Sequence, residues 1–159
     1  MNKRIFLIVF MLAVLIAGAV LFVQNKGGEI FVEDIGNELE KLNVIRINTP
    51  RPNQTISSPL MIEGEARGVW FFEASFPIKI LDENGNILKE SFATAQGDPA
   101  NGGVNWMTED FVPLKAEIEF QTPNNGKGAL ILEKDNPSGL PEHDDALRVP
   151  IRFAKDALP

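Results

Sequence analysis

The feature that most constrains this 159-residue chain is a rhythm of two. Between Val112 and Phe120, apolar Val112, Leu114, Ala116, Ile118 and Phe120 alternate with Pro113, Lys115, Glu117 and Glu119. Successive side chains of a strand point to opposite faces, so this run buries one face and wets the other. The same rhythm sets Leu60, Ile62, Gly64 and Ala66 against Met61, Glu63, Glu65 and Arg67. It sets Leu147, Val149, Ile151 and Phe153 against Arg148, Pro150 and Arg152.

The longest alternation contains an aromatic run, Val69-Trp70-Phe71-Phe72, in "RGVWFFEASFPIKILDENGN" (Arg67 to Asn86). From Trp70 onward the even positions are Trp70, Phe72, Ala74, Phe76, Ile78 and Ile80, all apolar. The odd ones are Phe71, Glu73, Ser75, Pro77, Lys79 and Leu81, mostly polar. Parity therefore predicts a long strand from Trp70, with Trp70, Phe72 and Phe76 inside and Val69 and Phe71 left over. Pro77 marks a bulge or an edge, because proline has no ladder N–H. Asn84-Gly85 suits the positive φ angles of a tight primed turn. Asp82, Asn84 and Asn86 also resemble the start of an EF-hand loop. Ile87 stands where that loop needs glycine, and no glutamate follows at its twelfth position.

Val44 to Asn48, Ile87 to Gln96 and Gly128 to Lys134 complete the strand set. "TPRPNQTISSP", with Pro50, Pro52 and Pro59, reads as an edge or crossover. Gly97–Thr108 and "DNPSGLPEHDDA" read as long loops. About seven strands with no helix between them predict an all-β fold, an antiparallel sandwich of residues 44–154 followed by a tail at 155–159. A domain of this size buries roughly two-thirds of its unfolded surface and needs no disulfide.

The N-terminus reads differently. Lys3 and Arg4 precede Ile5–Val23, a stretch without a charge. As a helix it would be roughly 28 Å long, close to the thickness of a bilayer's hydrocarbon core. Residues 1–4 are expected in the cytoplasm, 5–23 as a transmembrane signal anchor and the remainder outside the cell membrane. The rival is a cleaved signal peptide at Ala17-Gly18-Ala19. It would leave Val20-Leu21-Phe22-Val23 as an exposed greasy terminus. Either alternative makes the domain extracytoplasmic. Residues 24–43 read as a partly helical stalk, with Phe31, Ile35, Leu39 and Leu42 at helical spacing.

Beyond Lys26 lie 12 basic and all 22 acidic residues, a net 12 − 22 = −10. A basic footprint for nucleic acid is absent. The chain has no cysteine, which removes disulfides, thiolate zinc sites, iron–sulfur clusters and cysteine nucleophiles. Serine hydrolase chemistry would need Ser57, Ser58 or Ser138 beside His143 and Asp144, and no Gly-x-Ser-x-Gly elbow surrounds any of them. No phosphate loop or dinucleotide fingerprint occurs. A carboxylate-based glycan hydrolase is the remaining enzyme class, and abundant acidic residues make paired carboxylates an unspecific sign of it.

The segment from about Val44 to Phe153 resembles the immunoglobulin-like domain of bacterial spore germination. The resemblance rests on "SSPLMIEGEA" with Pro59, "FFEASFPIKILDENGNIL", Trp106 and Phe111 before "AEIEF", and "GALILEKDNPSG". It implies an extracytoplasmic immunoglobulin-like sandwich, in a member without an accompanying GerM-type domain. It implies no catalytic residues.

If the strands run alternately up and down, Arg67–Val69, Gly97–Thr108 and Asp135–Ala146 meet at one end, where the stalk also arrives. The candidate binding surface is then Val69, Phe71 and Trp106 beside Glu142, His143, Asp144 and Asp145, the alternative being solvated loops. No cofactor is expected, and calcium is the ion such carboxylates would take. The function expected is a membrane-tethered module binding a protein or cell-wall component of the bacterial envelope. The alternative is a passive spacer of an envelope complex.

Overall fold

The computed structural model describes residues 33–97, 103–123 and 126–154. The chain divides into two compact units, Met1–Glu33 and Asp34–Pro159, and the described residues are almost all in the second. The uncharged Ile5–Val23 stretch, the alternative cleavage site, the first part of the stalk and the C-terminal tail lie outside the described residues. Among those described, no helix is long and apolar enough to cross a membrane.

A single helical turn, α1 (Glu38–Lys41), precedes eight strands. These are β1 (Ile45–Thr49), β2 (Thr55–Ile56), β3 (Leu60–Arg67), β4 (Ser75–Asp82), β5 (Ile87–Ala95), β6 (Phe111–Ile118), β7 (Lys127–Glu133) and β8 (Ala146–Phe153). The hydrogen-bonded order is β1-β3-β6-β5-β4-β7-β8-β2. β5 and β6 pair only at Thr94↔Lys115 and Ala95↔Leu114. The sheet therefore curls at this corner into two layers, β1-β3-β6 and β5-β4-β7-β8-β2. β1 pairs antiparallel with β3, the chain then crosses through Pro50 and Pro52, and β2 runs parallel to β8 in the other layer. β2 is the strand that parity does not reveal, being two residues long.

Alternation holds where it was clearest. Val112, Leu114, Ala116, Ile118 and Phe120 are buried from β6 onward, and Leu147, Val149, Ile151 and Phe153 from β8. They meet Ile45, Ile47 and Ile62 from the first layer and Phe76, Ile78, Ile80, Leu130 and Leu132 from the second in one core. On the outer face of the first layer, Arg46 and Arg67 both stack on the Phe111 ring, at 4.0 and 4.5 Å from its centroid.

Parity fails at the aromatic run. The strand begins at Ser75, not Trp70. Gly68–Trp70 form a 3-10 turn, and Phe72 and Ser75 bond to each other across Glu73 and Ala74, whose φ angles are 50° and 62°. Two left-handed residues between the aromatics and the strand reset which face each side chain takes. Phe71 is consequently buried, 4% exposed and 5.2 Å from the Phe76 ring, whereas Phe72 is 42% exposed. Trp70 and Phe76 are core residues, as parity predicts.

The tight turn forms at Asn84-Gly85, with Gly85 at φ 83°. Asp82 organises it by accepting from the Asn84 and Asn86 backbone N–H groups and from the Asn86 amide at 2.8–2.9 Å. These bonds, led by the Asn86 side chain, hold the Asp82 carboxyl below the usual carboxylate range. The turn thus spends the oxygens that resemble an EF-hand start on its own backbone.

The predicted helical stripe is inverted. Leu39 is 69% exposed and Ile35 and Leu42 also face water, while Glu38 is only 7% exposed. Arg51 decides this. Its guanidinium grips both Glu38 oxygens, at 2.5 and 2.9 Å, and also bonds the Ile47 carbonyl. Satisfying a carboxylate at the seam outweighs turning two leucines inward. The segment is tied along β8 by Asn37, which bonds Ala146 O and the Arg148 N–H, and by Asp34, which accepts from Arg148 at 2.9 Å. A hydrogen bond from Gly36 N–H, then the Arg148 bond, keep the Asp34 carboxyl low. The chain therefore reaches β1 by running along the flank of the sandwich, which corrects a stalk arriving only at its end.

Candidate functional site

Strand pairing places the β3–β4, β5–β6 and β7–β8 connections at one end of the sandwich. Ile45↔Ala66, Arg67↔Phe111, Ser75↔Thr94 and Glu133↔Ala146 all lie toward it. The three connections are tied together. The Asp135 N–H donates to the Trp70 carbonyl at 3.1 Å, joining the third to the first. Arg67 donates to the Glu109 and Asn43 carbonyls, each at 2.5 Å, joining the first to the second and to the chain leading into β1. Gly68 passes so close beneath the second connection that a Cβ there would lie 2.1 Å from the Thr108 carbonyl oxygen and 2.3 Å from that of Trp106.

The residues expected to form a surface divide. Val69 is 60% exposed and Trp106 is half-buried against the core. Phe71 is not on the surface, for the reason given above, and Phe72 takes the water-facing place instead. Glu142 and His143 are exposed in a 3-10 turn, Pro141–His143. Asp144 accepts from the Asn136 amide at 2.7 Å. Asp145 is withdrawn into an ion pair with Lys41 at 2.5 Å, which fixes α1 to the third connection. Lys134 closes the base of that connection, its N–H on Asp145 O and its ammonium on the His143 carbonyl.

Beside this connection an open cleft of about 660 Å³ runs onto the outer face of β4. Glu133, Asp135, Asp144 and Asp145 line it with one ammonium, Lys134, and Pro77 forms part of its wall. The Lys79 ammonium holds Glu133 at 2.8 Å, and this hydrogen bond raises it above the ordinary lysine range. Pro77 and Glu133 were invisible as site residues, because their joining depends on the β4–β7 register. The only local signal was the outward parity of Pro77.

Among the described residues no three histidine, aspartate or glutamate side chains gather as a metal site. The Ser138 hydroxyl bonds Asn136 at 2.5 Å, and that of Ser58 caps the Phe120 N–H elsewhere, so neither meets His143 in a triad. Several large apolar side chains are exposed at this end. Val69, Phe72, Val104, Met107 and Leu140 all stand in water in its three connections. At the opposite end Ile87, beside the hairpin turn, is the large apolar side chain that stands in water, 53% exposed, among the described residues of 50–59, 83–87 and 119–126.

Among curated proteins no relative matches the chain. The family model for the immunoglobulin-like domain of bacterial spore germination matches residues 44–139, more than half of the sequence. The match runs from the approach to β1 through β7 and into the third connection, and leaves β8 of the sandwich outside it. Domains of this immunoglobulin-like kind are typically non-catalytic. By sequence, the chain belongs to the family of immunoglobulin-like domains of bacterial spore germination.

Proposed function

We propose that this chain is a membrane-tethered, extracytoplasmic binding module, its sandwich holding a protein or cell-wall component of the bacterial envelope. One observation carries the binding role. Large apolar side chains stay in water at the end where three connections are tied together, and the same connections carry the exposed carboxylates Glu109, Glu142 and Asp144. Folding alone gives no reason to leave Met107 77% exposed in one connection and Val69 and Phe72 exposed in another at the same end. Exposed apolar groups with a polar rim are the anatomy of a contact surface. Tethering is supported by the uncharged Ile5–Val23 stretch behind Lys3 and Arg4, which is long enough to span a bilayer.

The test is photo-crosslinking in cells, with a photoreactive amino acid placed at Val69 or Met107 and, as control, at Asn84 in the hairpin turn of the other end. The expected result is a discrete crosslinked species from the first two positions and none from Asn84. Equal patterns from both ends, or no adduct at all, would leave the domain a passive spacer.

A further inference from the structure

Among the described residues, strand β5 has an open edge. It pairs with β4 along its length, yet with β6 only at Thr94 and Ala95. Two bonds fix the direction of its main-chain groups. Ala95 N–H donates to Ala74 O on the β4 side, and Gln96 N–H to Pro113 O on the β6 side. Directions alternate along an antiparallel strand. Ser91 and Ala93 therefore face β4, while Glu90 and Phe92 turn their N–H and C=O groups away from it. Phe92, opposite Pro77, is 60% exposed on this edge. An open edge carrying a large apolar side chain is a template for another strand.

The edge is complementary to itself in one register. If a second copy approaches antiparallel about a two-fold axis at Ser91, Glu90 faces the second copy's Phe92 and Phe92 faces its Glu90. All the outward N–H and C=O groups of these two residues are then used, in four hydrogen bonds. Ser91 faces Ser91, Lys89 faces Ala93, and no like charges are opposed. Shifting the axis to Glu90 sets two carboxylates directly opposite each other, which is destabilising. Shifting it to Phe92 calls on Thr94, already paired with Lys115. We infer that two copies of this chain join edge to edge through β5, antiparallel and centred on Ser91, in an isologous dimer. The dimer rests on the strand pairing alone and is independent of what the loop end binds.

The chain has no cysteine, so a single one reports the register. Residues facing each other in a non-hydrogen-bonded antiparallel pair have Cα atoms about 4.5 Å apart, within disulfide range. The experiment compares Ser91→Cys with Glu119→Cys, an exposed position off the edge, in full-length chain in membranes under mild oxidation. Ser91→Cys is expected to yield disulfide-linked dimer on the order of tenfold above Glu119→Cys. Adding Glu90→Pro, which removes an outward N–H without touching the β4 ladder, is expected to abolish the link. If that variant does not fold, adding Phe92→Glu instead sets a carboxylate against the second copy's Glu90 at a water-facing position and is expected to give the same loss. Equal yields from Ser91→Cys and Glu119→Cys would overturn the proposal, as would a link undiminished by a folded edge variant.

Discussion

Truncating Phe76 to alanine is expected to destabilise the domain by about 3–5 kcal/mol, whereas Phe72→Ala changes stability by roughly 0.5 kcal/mol or less. Phe76 is fully buried between the layers and touches the Phe71 ring, so its loss leaves a cavity that the two hydrogen-bonded layers cannot close. Phe72 already faces water in the turn that enters β4. Urea unfolding of the two variants measures both values. The contrast matters because simple alternation assigns the two rings to the same face. Similar losses for both variants would mean that Glu73 and Ala74 do not reset the strand.

That reset shows where the sequence stops being legible. Alternation from Val112 to Phe120 is unbroken, and β6 follows it residue by residue, because its polar positions face outward and the ion pair Lys115 makes with Glu63 lies on that same outer face. At Trp70–Ser75 the same arithmetic fails. Glu73 and Ala74 adopt left-handed backbone although neither is glycine or asparagine, so no residue type announced the turn. The inverted face of α1 has a different origin. Ile35, Leu39 and Leu42 do have helical spacing, but the side that docks is chosen by Glu38 and by Arg51, 13 residues away. Periodicity along one segment cannot report such a tertiary partner. The gathering of three connections at one end was legible from strand counting alone. It survives the extra strand because β2 only extends the crossover and leaves the directions of β3 to β8 unchanged. Which side chains face outward there was less so, since Phe71 and Phe72 exchange places.

The second large effect is expected at Gly68. A methyl group there would meet two backbone carbonyl oxygens at little more than 2 Å, and backbone is the least able to yield. Gly68→Ala is expected to cost about 3 kcal/mol, the upper part of the range for overpacking. The damage should also be local. Separation of the first two connections frees Trp106, which is half-buried against the core, and adds a tryptophan emission component at longer wavelength. Trp70, inside the core, keeps its emission as long as the sandwich holds. Thermal unfolding gives the stability loss, and native-state fluorescence shows whether the two connections part. An unchanged melting temperature would mean that the connections are not held against each other at this contact. The crosslinks expected at Val69 and Met107 would then lack the rigid surface proposed for them.

The central functional claim is that the sandwich stands outside the cell membrane on an N-terminal tether. The most direct test is Ser138→Cys, an exposed loop position in a chain without cysteine, treated in intact cells with a membrane-impermeant maleimide. Labelling before lysis, on full-length protein that fractionates with membranes, is the result this account predicts. Labelling only after lysis would put the domain in the cytoplasm and contradict it.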